Sequence, residues 1–280
     1  MTNYSVRKLQ NGIMVGLMGA GAFLLLSILM GTLIYIALKG LSALNWDFFT
    51  KLPKPVGESG GGMANAIVGT LKLLGIAALI GVPFGFIGGV YLSEYGRKNK
   101  FGFFVRYSAD LIAGVPSIVM GIFAYTLVVL PMGHFSTLAG GLGLGIMMIP
   151  IALRSTEEFL KLVPSSLREA GLALGLTQWK TITFIVIPSA FRGILTGILL
   201  DLARVAGETA PLLFTAFSNK YWSRGWLEPT ASLPVMIYTY AISPYDDWHR
   251  QAWAAGLVLL LMILGTNLLA RLVLRRYQPT

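Results

Sequence analysis

Long apolar runs restrict what this chain can fold into more than any other feature. Six of them, at about 13–38, 67–92, 111–129, 138–152, 186–217 and 252–272, approach or exceed the ~20 residues that cross a ~30 Å hydrocarbon layer. A backbone in lipid must satisfy its own N–H and C=O groups, so each run is expected to be a helix. The predicted fold class is therefore an all-α membrane protein with six transmembrane helices. Composition agrees, since 55% of the residues are hydrophobic and 12% charged, against about 45–50% and about 25% in soluble domains. Arg7 and Lys8 precede the first run as they would in a secretory signal. That run far exceeds the roughly 7–15 apolar residues of such a signal, so it is expected to stay as a helix.

The formal charge of +10 raises nucleic acid as a partner, but the placement of the charges points elsewhere. With the amino terminus inside, inner segments hold thirteen basic residues: Arg7, Lys8, Arg97, Lys98, Lys100, Arg106, Arg154, Lys161, Arg168, Lys180, Arg271, Arg275 and Arg276. Outer segments hold six, namely Lys39, Lys51, Lys54, Lys220, Arg224 and Arg250. This asymmetry predicts that both termini are cytoplasmic and that the partner is a lipid bilayer, with no nucleic acid. The polar stretches at 40–64, 153–184 and 218–250 are loop-sized, so residues 1–280 are expected to form one membrane domain. The absence of cysteine excludes disulfides and thiolate metal sites.

Many of the 33 glycines lie inside spans, as in "GIAALIGVPFGFIGG" and "LAGGLGLGIMM". Small residues let helix backbones approach where lipid gives no hydrophobic push, which predicts a tightly crossed bundle. Pro83, Pro116, Pro150 and Pro211 each remove one backbone donor and are expected to act as hinges.

The inner segment 153–184 carries helix signals of its own. Ser155 with Glu158, and Ser166 with Glu169, match the Ser-x-x-Glu capping box, and Pro164 separates them. Gly175 is placed to turn the chain back toward the bilayer. Glu169, Ala170 and Gly171, Gly175 after three more residues, and Ile185 to Pro188 after a further nine resemble the EAA motif of ABC-importer permeases, with Gly171 in place of its second alanine and Ile187 in place of its leucine. The resemblance implies that this loop docks in a cytoplasmic ATPase, while capping remains a sufficient reason for Glu169. No G-x-x-x-x-G-K-[ST] phosphate loop occurs, so ATP and Mg are expected on a partner chain and no cofactor on this one.

The fifth run holds Asp201, Arg204 and Glu208. On one helix they share an arc of roughly 60°, which Pro211 and Thr215 continue. If Arg192 reaches the inner interface, Arg204 lies roughly 18 Å deeper, near mid-bilayer. An ionisable group there costs at least ~2.5–3.5 kcal/mol on insertion scales, so it should face a partner or a wet path. Arg204 has the planar fork that suits an oxyanion, and Glu208 is placed to compete for it; an internal Arg204 to Glu208 pair at i, i+4 explains the spacing equally well. Lys72 is expected to reach the outer interface, and Ser117, after Pro116, either donates to an anion or marks a kink. His134 and His249 have no second ligand at metal spacing, and no metal site is expected.

"ARVAGETAPLLFTA", "GVPSIVMGIF" and "EPTASLPVMIYTYAISPYDDWHRQAWAAGLVLL" resemble the PstA-type permeases of phosphate ABC importers, from about Gly62 to the carboxyl end. The resemblance implies the type I (MetI-like) permease fold in a bacterial or archaeal cytoplasmic membrane. It also implies a related second permease (PstC-type), two ATPase subunits (PstB-type) and an extracytoplasmic phosphate-binding protein (PstS-type). Arg204, Glu208, Asp201, Ser117 and Thr215 then become candidates for the substrate path, and Glu169, Ala170, Gly171 and Gly175 for ATPase coupling. An ABC permease for sulfate, molybdate or an amino acid is the alternative. A membrane-embedded enzyme is more remote, since there is no H-E-x-x-H pair and buried acid–base chemistry would rest on Glu208 or Asp201 alone.

Overall fold

The apolar runs fold as helices that extend past their hydrophobic limits, because polar residues at the ends continue the same backbone hydrogen bonding. The computed structural model describes residues 2–276; Met1 and residues 277–280 lie outside it. Arg271, Arg275 and Arg276, counted above toward orientation, belong to the last helix, but their side chains are outside the described residues.

With inner and outer naming the sides that the charge asymmetry predicts, helix α1 (Thr2–Leu41) is followed by the short outer α2 (Trp46–Thr50) and by α3 (Ala64–Glu94). After α4 (Lys100–Gly114), α5 (Ser117–Ala124) runs through a π-helical turn (Tyr125–Val129) into α6 (Leu130–Met132). Then come α7 (Thr137–Lys161), α8 (Ser165–Ala173) and α9 (Gln178–Thr181), a second π-helical turn (Ile182–Val186), α10 (Ile187–Ala206) and α11 (Ala210–Thr215). An outer helix α12 (Leu233–Ala241) precedes the last one, α13 (Asp246–Arg276). Among the described residues, five helices are long and apolar enough to cross a membrane, or six if the bent pair Lys100–Gly114 and Ser117–Met132 is counted as one span.

Two of the expected spans are broken. The run at 111–129 bends by 103° between α4 and α5. Pro116 disfavours helical geometry at the residue before it, and Val115 is accordingly extended, at φ −71° and ψ 133°. The run at 186–217 is two helices rather than one, for α10 ends at Ala206 and α11 begins with Pro211 in its first turn. Proline suits that position because its missing N–H would lack a partner there anyway. The expected span at 138–152 also continues, as α7, through Lys161, so the inner connection starts later than residue 153. The outer segment 218–250 holds the half-buried α12, which hydropathy alone reads as connection; the Leu233 amide donates to the Thr70 hydroxyl of α3 at 2.8 Å.

The core rests on α3 and α7. Gly81, Gly85 and Gly89, one turn apart on α3, lie against Met148, Ala152 and Thr156 on α7; an added Cβ would stand 2.5–2.6 Å from each partner's Cβ. Toward the outer end the pattern inverts, and Gly141 and Gly145 of α7 receive Ile76 and Ile80 of α3. Such reciprocal gaps give dispersion contact along the whole pair, which is what joins helices in lipid. A second cluster, including Phe48, Met63, Leu233, Met236 and Tyr240, packs α2 and α12 on the outer part of α13, where Tyr240 stacks on Trp248 at 4.3 Å. By contrast α1 is exposed along most of its length and meets α13 near its outer end, with Tyr35 edge-on to Trp253.

Candidate functional site

The bend before α5 and the break after α10 face each other. Between them lies a cavity of about 250 Å³, lined by Ile112, Ala113, Val115, Pro116, Ser117, Met120, Met147, Ile151, Arg204, Val205 and Glu208. Arg204 is exposed on the isolated chain and Glu208 is half-buried. Among the described residues neither forms an ion pair within 4.0 Å, so the alternative of an i, i+4 pair between them is not realised. The physical reason is the helix end at Ala206, which takes Glu208 off the helix that carries Arg204.

Ser117 is the first residue of α5, whose opening amides have no side-chain cap. The other two candidates lie apart from the cavity. Asp201 is buried and accepts from the Ser155 hydroxyl of α7 at 3.2 Å. Thr215 is also buried, and its hydroxyl donates to Pro211 O at 2.7 Å within α11. The Lys72 ammonium donates to Ser223 O at 2.8 Å and sits 5.8 Å from the Trp226 ring, held by the outer loop.

In the inner segment neither capping box forms. Ser155 is inside α7, where its hydroxyl turns to Asp201, and Pro164 stands at the N-cap of α8, so Ser166 is already within the first turn. The end of α8 follows its sequence signal. Gly175 adopts φ +83°, its amide donates to Leu172 O at 2.9 Å and that of Leu176 to Gly171 O at 3.2 Å, the double closure of a Schellman turn. Gly171, where the motif has alanine, is buried; an added Cβ would meet Ile185 at 2.8 Å and Thr181 at 2.9 Å. Glu169 and Ala170 are exposed on the opposite side.

Hydropathy and motif spacing missed the ionic network at the inner end of the bundle. Glu157 is fully buried and accepts from Arg106 at 2.7 Å, Lys161 at 2.7 Å and Arg154 at 3.3 Å. Arg154 also grips Asp110 of α4. The i−3 and i+4 spacing of Arg154 and Lys161 around Glu157 was a readable signal once α7 was extended past residue 152.

Comparison with known proteins agrees with this architecture. Residues 81–279 match the family model described as binding-protein-dependent transport system inner membrane component. The chain is 46% identical over 253 residues to the phosphate transport system permease protein PstA of Yersinia pestis, covering 90% of this chain and 84% of that one. To its counterpart in Haemophilus influenzae it is 44% identical over 266 residues, covering 95% and 94%. Among solved structures, a chain of the MetNI methionine ABC transporter in an inward-facing conformation superposes with a TM-score of 0.59 at 19% identity, covering 77% of this chain and 98% of that one. The chain belongs to the family of binding-protein-dependent transport system inner membrane components, together with the PstA permeases of these organisms.

Proposed function

We infer that this chain is a permease subunit of an ATP-driven importer of inorganic phosphate, a transport subunit and not an enzyme. The observation that carries the reading is Arg204: a guanidinium without an ion-pair partner among the described residues, lining a cavity in an apolar bundle, in a chain 44–46% identical to named phosphate permeases. Its planar donors match phosphate oxygens two at a time. The opening amides of α5 at Ser117 add partial positive charge on the facing wall. Glu208, on the same cavity, repels the anion and offers Arg204 a competing carboxylate, so that binding stays weak enough for release.

An arginine exposed on one chain at membrane depth requires a cover other than lipid. In this reading the cover is a related second permease (PstC-type), which completes the path. Two ATPase subunits (PstB-type) hold ATP and Mg and dock on the exposed face of α8, through Glu169, Ala170 and the 82% exposed Leu174. An extracytoplasmic phosphate-binding protein (PstS-type) delivers substrate at the outer mouth. The basic inner segments orient both termini to the cytoplasm of a bacterial or archaeal inner membrane.

The test is uptake of labelled phosphate into vesicles holding the complete importer, with sulfate, molybdate and amino acids as competitors. Saturable, ATP-dependent phosphate uptake that these do not inhibit is the expected result. Uptake of one of the competitors without phosphate would replace phosphate by that solute.

A further inference from the structure

Helix α8 has nine residues, too few to hold a direction alone. With one face exposed, its orientation comes from the other, where Arg168 meets three partners at once. Its Nε and Nη2 donate to the two carboxylate oxygens of Glu94 at 3.0 and 2.8 Å. Its Nη1 donates to Val163 O at 2.7 Å, and Nη2 also donates to Leu160 O at 2.9 Å. Glu94 is the last residue of α3, and Leu160 lies in the last turn of α7. The side chains of Arg168 and Glu94 are only 18% and 6% exposed. One guanidinium from the docking helix therefore adds charged donors to carbonyls at and just past the end of α7 and ties that end to α3.

A second guanidinium repeats the design. Arg106 of α4 donates to Leu92 O at 2.8 Å and Gly96 O at 3.2 Å, at the end of α3, and to Glu157 of α7 at 2.7 Å. The interlocked pair α3 and α7 thus has one basic side chain leading to α8 and another leading to α4. Helix α4 in turn ends at the cavity wall, at Val115 and Pro116.

We propose that the Arg168–Glu94 pair is the joint through which movement of the docking helix α8 reaches the α3–α7 pair and, by way of Arg106, the cavity wall. The proposal rests on the reading of this chain as a permease driven by a separate ATPase. Arg168 is a positioning residue in it, touching neither phosphate nor nucleotide. Lysine offers a compact charge with three donors and cannot span the carboxylate and both carbonyls with the same geometry.

The experiment is phosphate taken up per ATP hydrolysed by the complete importer in liposomes, for the wild type and for Arg168→Gln, Arg168→Lys and Glu94→Gln. Arg168→Gln should lower this ratio about fivefold or more, the range of ordinary coupling between sites, while the ATPase subunit still copurifies. Arg168→Lys should fall between it and the wild type. A role in folding alone would reduce recovered complex and both rates together, so an unchanged ratio in all three variants overturns the proposal. Should Arg168→Gln fail to assemble, Glu94→Gln carries the same test, because it keeps the side-chain shape and an acceptor oxygen. Wild-type vesicles that take up no phosphate would defeat the functional reading instead, and the ratio for the solute they do carry would still judge the joint.

Discussion

Two regions of this protein place arginine beside carboxylate within or near the membrane, and they treat the pair in opposite ways. At the inner end, Glu157 gathers Arg106, Arg154 and Lys161, and Glu94 holds Arg168 in a two-point contact. In the cavity, Arg204 and Glu208 share a wall and form no ion pair among the described residues. The inner groups answer one another's desolvation and so fix helix ends. The cavity groups leave their hydrogen-bonding capacity open, as the proposed passage of an anion would require. Charge in an apolar chain thus serves two ends, and the degree of mutual satisfaction separates them.

Substitutions can break that contrast from either side. The largest effect is expected for Glu157→Gln, which leaves three cations around a neutral group. Removing one partner of a buried ionic network destabilises by about 3 kcal/mol or more, and the cations here are 20–41% exposed, which places the loss at the low end. It should appear as a lower thermal unfolding midpoint in detergent. An unchanged midpoint would mean that the three cations relax to water, and that the inner region is no more committed than the cavity.

Arg204→Lys probes the open side. It should leave the unfolding midpoint where it is and lower phosphate flux about tenfold, equivalent to about 1.4 kcal/mol in the transport barrier. Equal flux would show that the fork geometry is unused, and a lowered midpoint would place Arg204 with the structural group.

The smallest effect sharpens the boundary of the inner region. Gly175→Ala puts a Cβ on a residue at φ +83° with open space around it, so only backbone strain of about 1 kcal/mol is added. Gly175→Asn, which tolerates that conformation better, should recover part of the loss in the same unfolding measurement. Indistinguishable midpoints for the two variants would mean that the end of α8 is set by its contacts rather than by its turn.

How much of this was legible in the sequence differs from residue to residue. Gly175 announced its turn because a positive φ has few alternatives to glycine. The glycines of α3 and α7 announced close helix approach, though not which helix each would face. Ser155 and Ser166 mislead, since a capping box is a local pattern and neither serine caps a helix start. Asp201, Arg204 and Glu208 were placed on one arc by assuming unbroken helix. Pro211 reads as a kink in such a helix, whereas it opens a new one. Arg168 and Glu94, or Arg106 and Glu157, carry no shared spacing that marks them as partners.

By itself the sequence determined that the chain is helical and membrane-spanning, because lipid demands internal backbone hydrogen bonds and the apolar runs have the length to supply them. It determined as well that any charge in those runs would need an answer. Only the tertiary structure decided which answer each charge received. Pairing across helices depends on where two segments distant in sequence come to lie, and that follows from glycine-lined crossings and proline breaks acting together, beyond any local pattern.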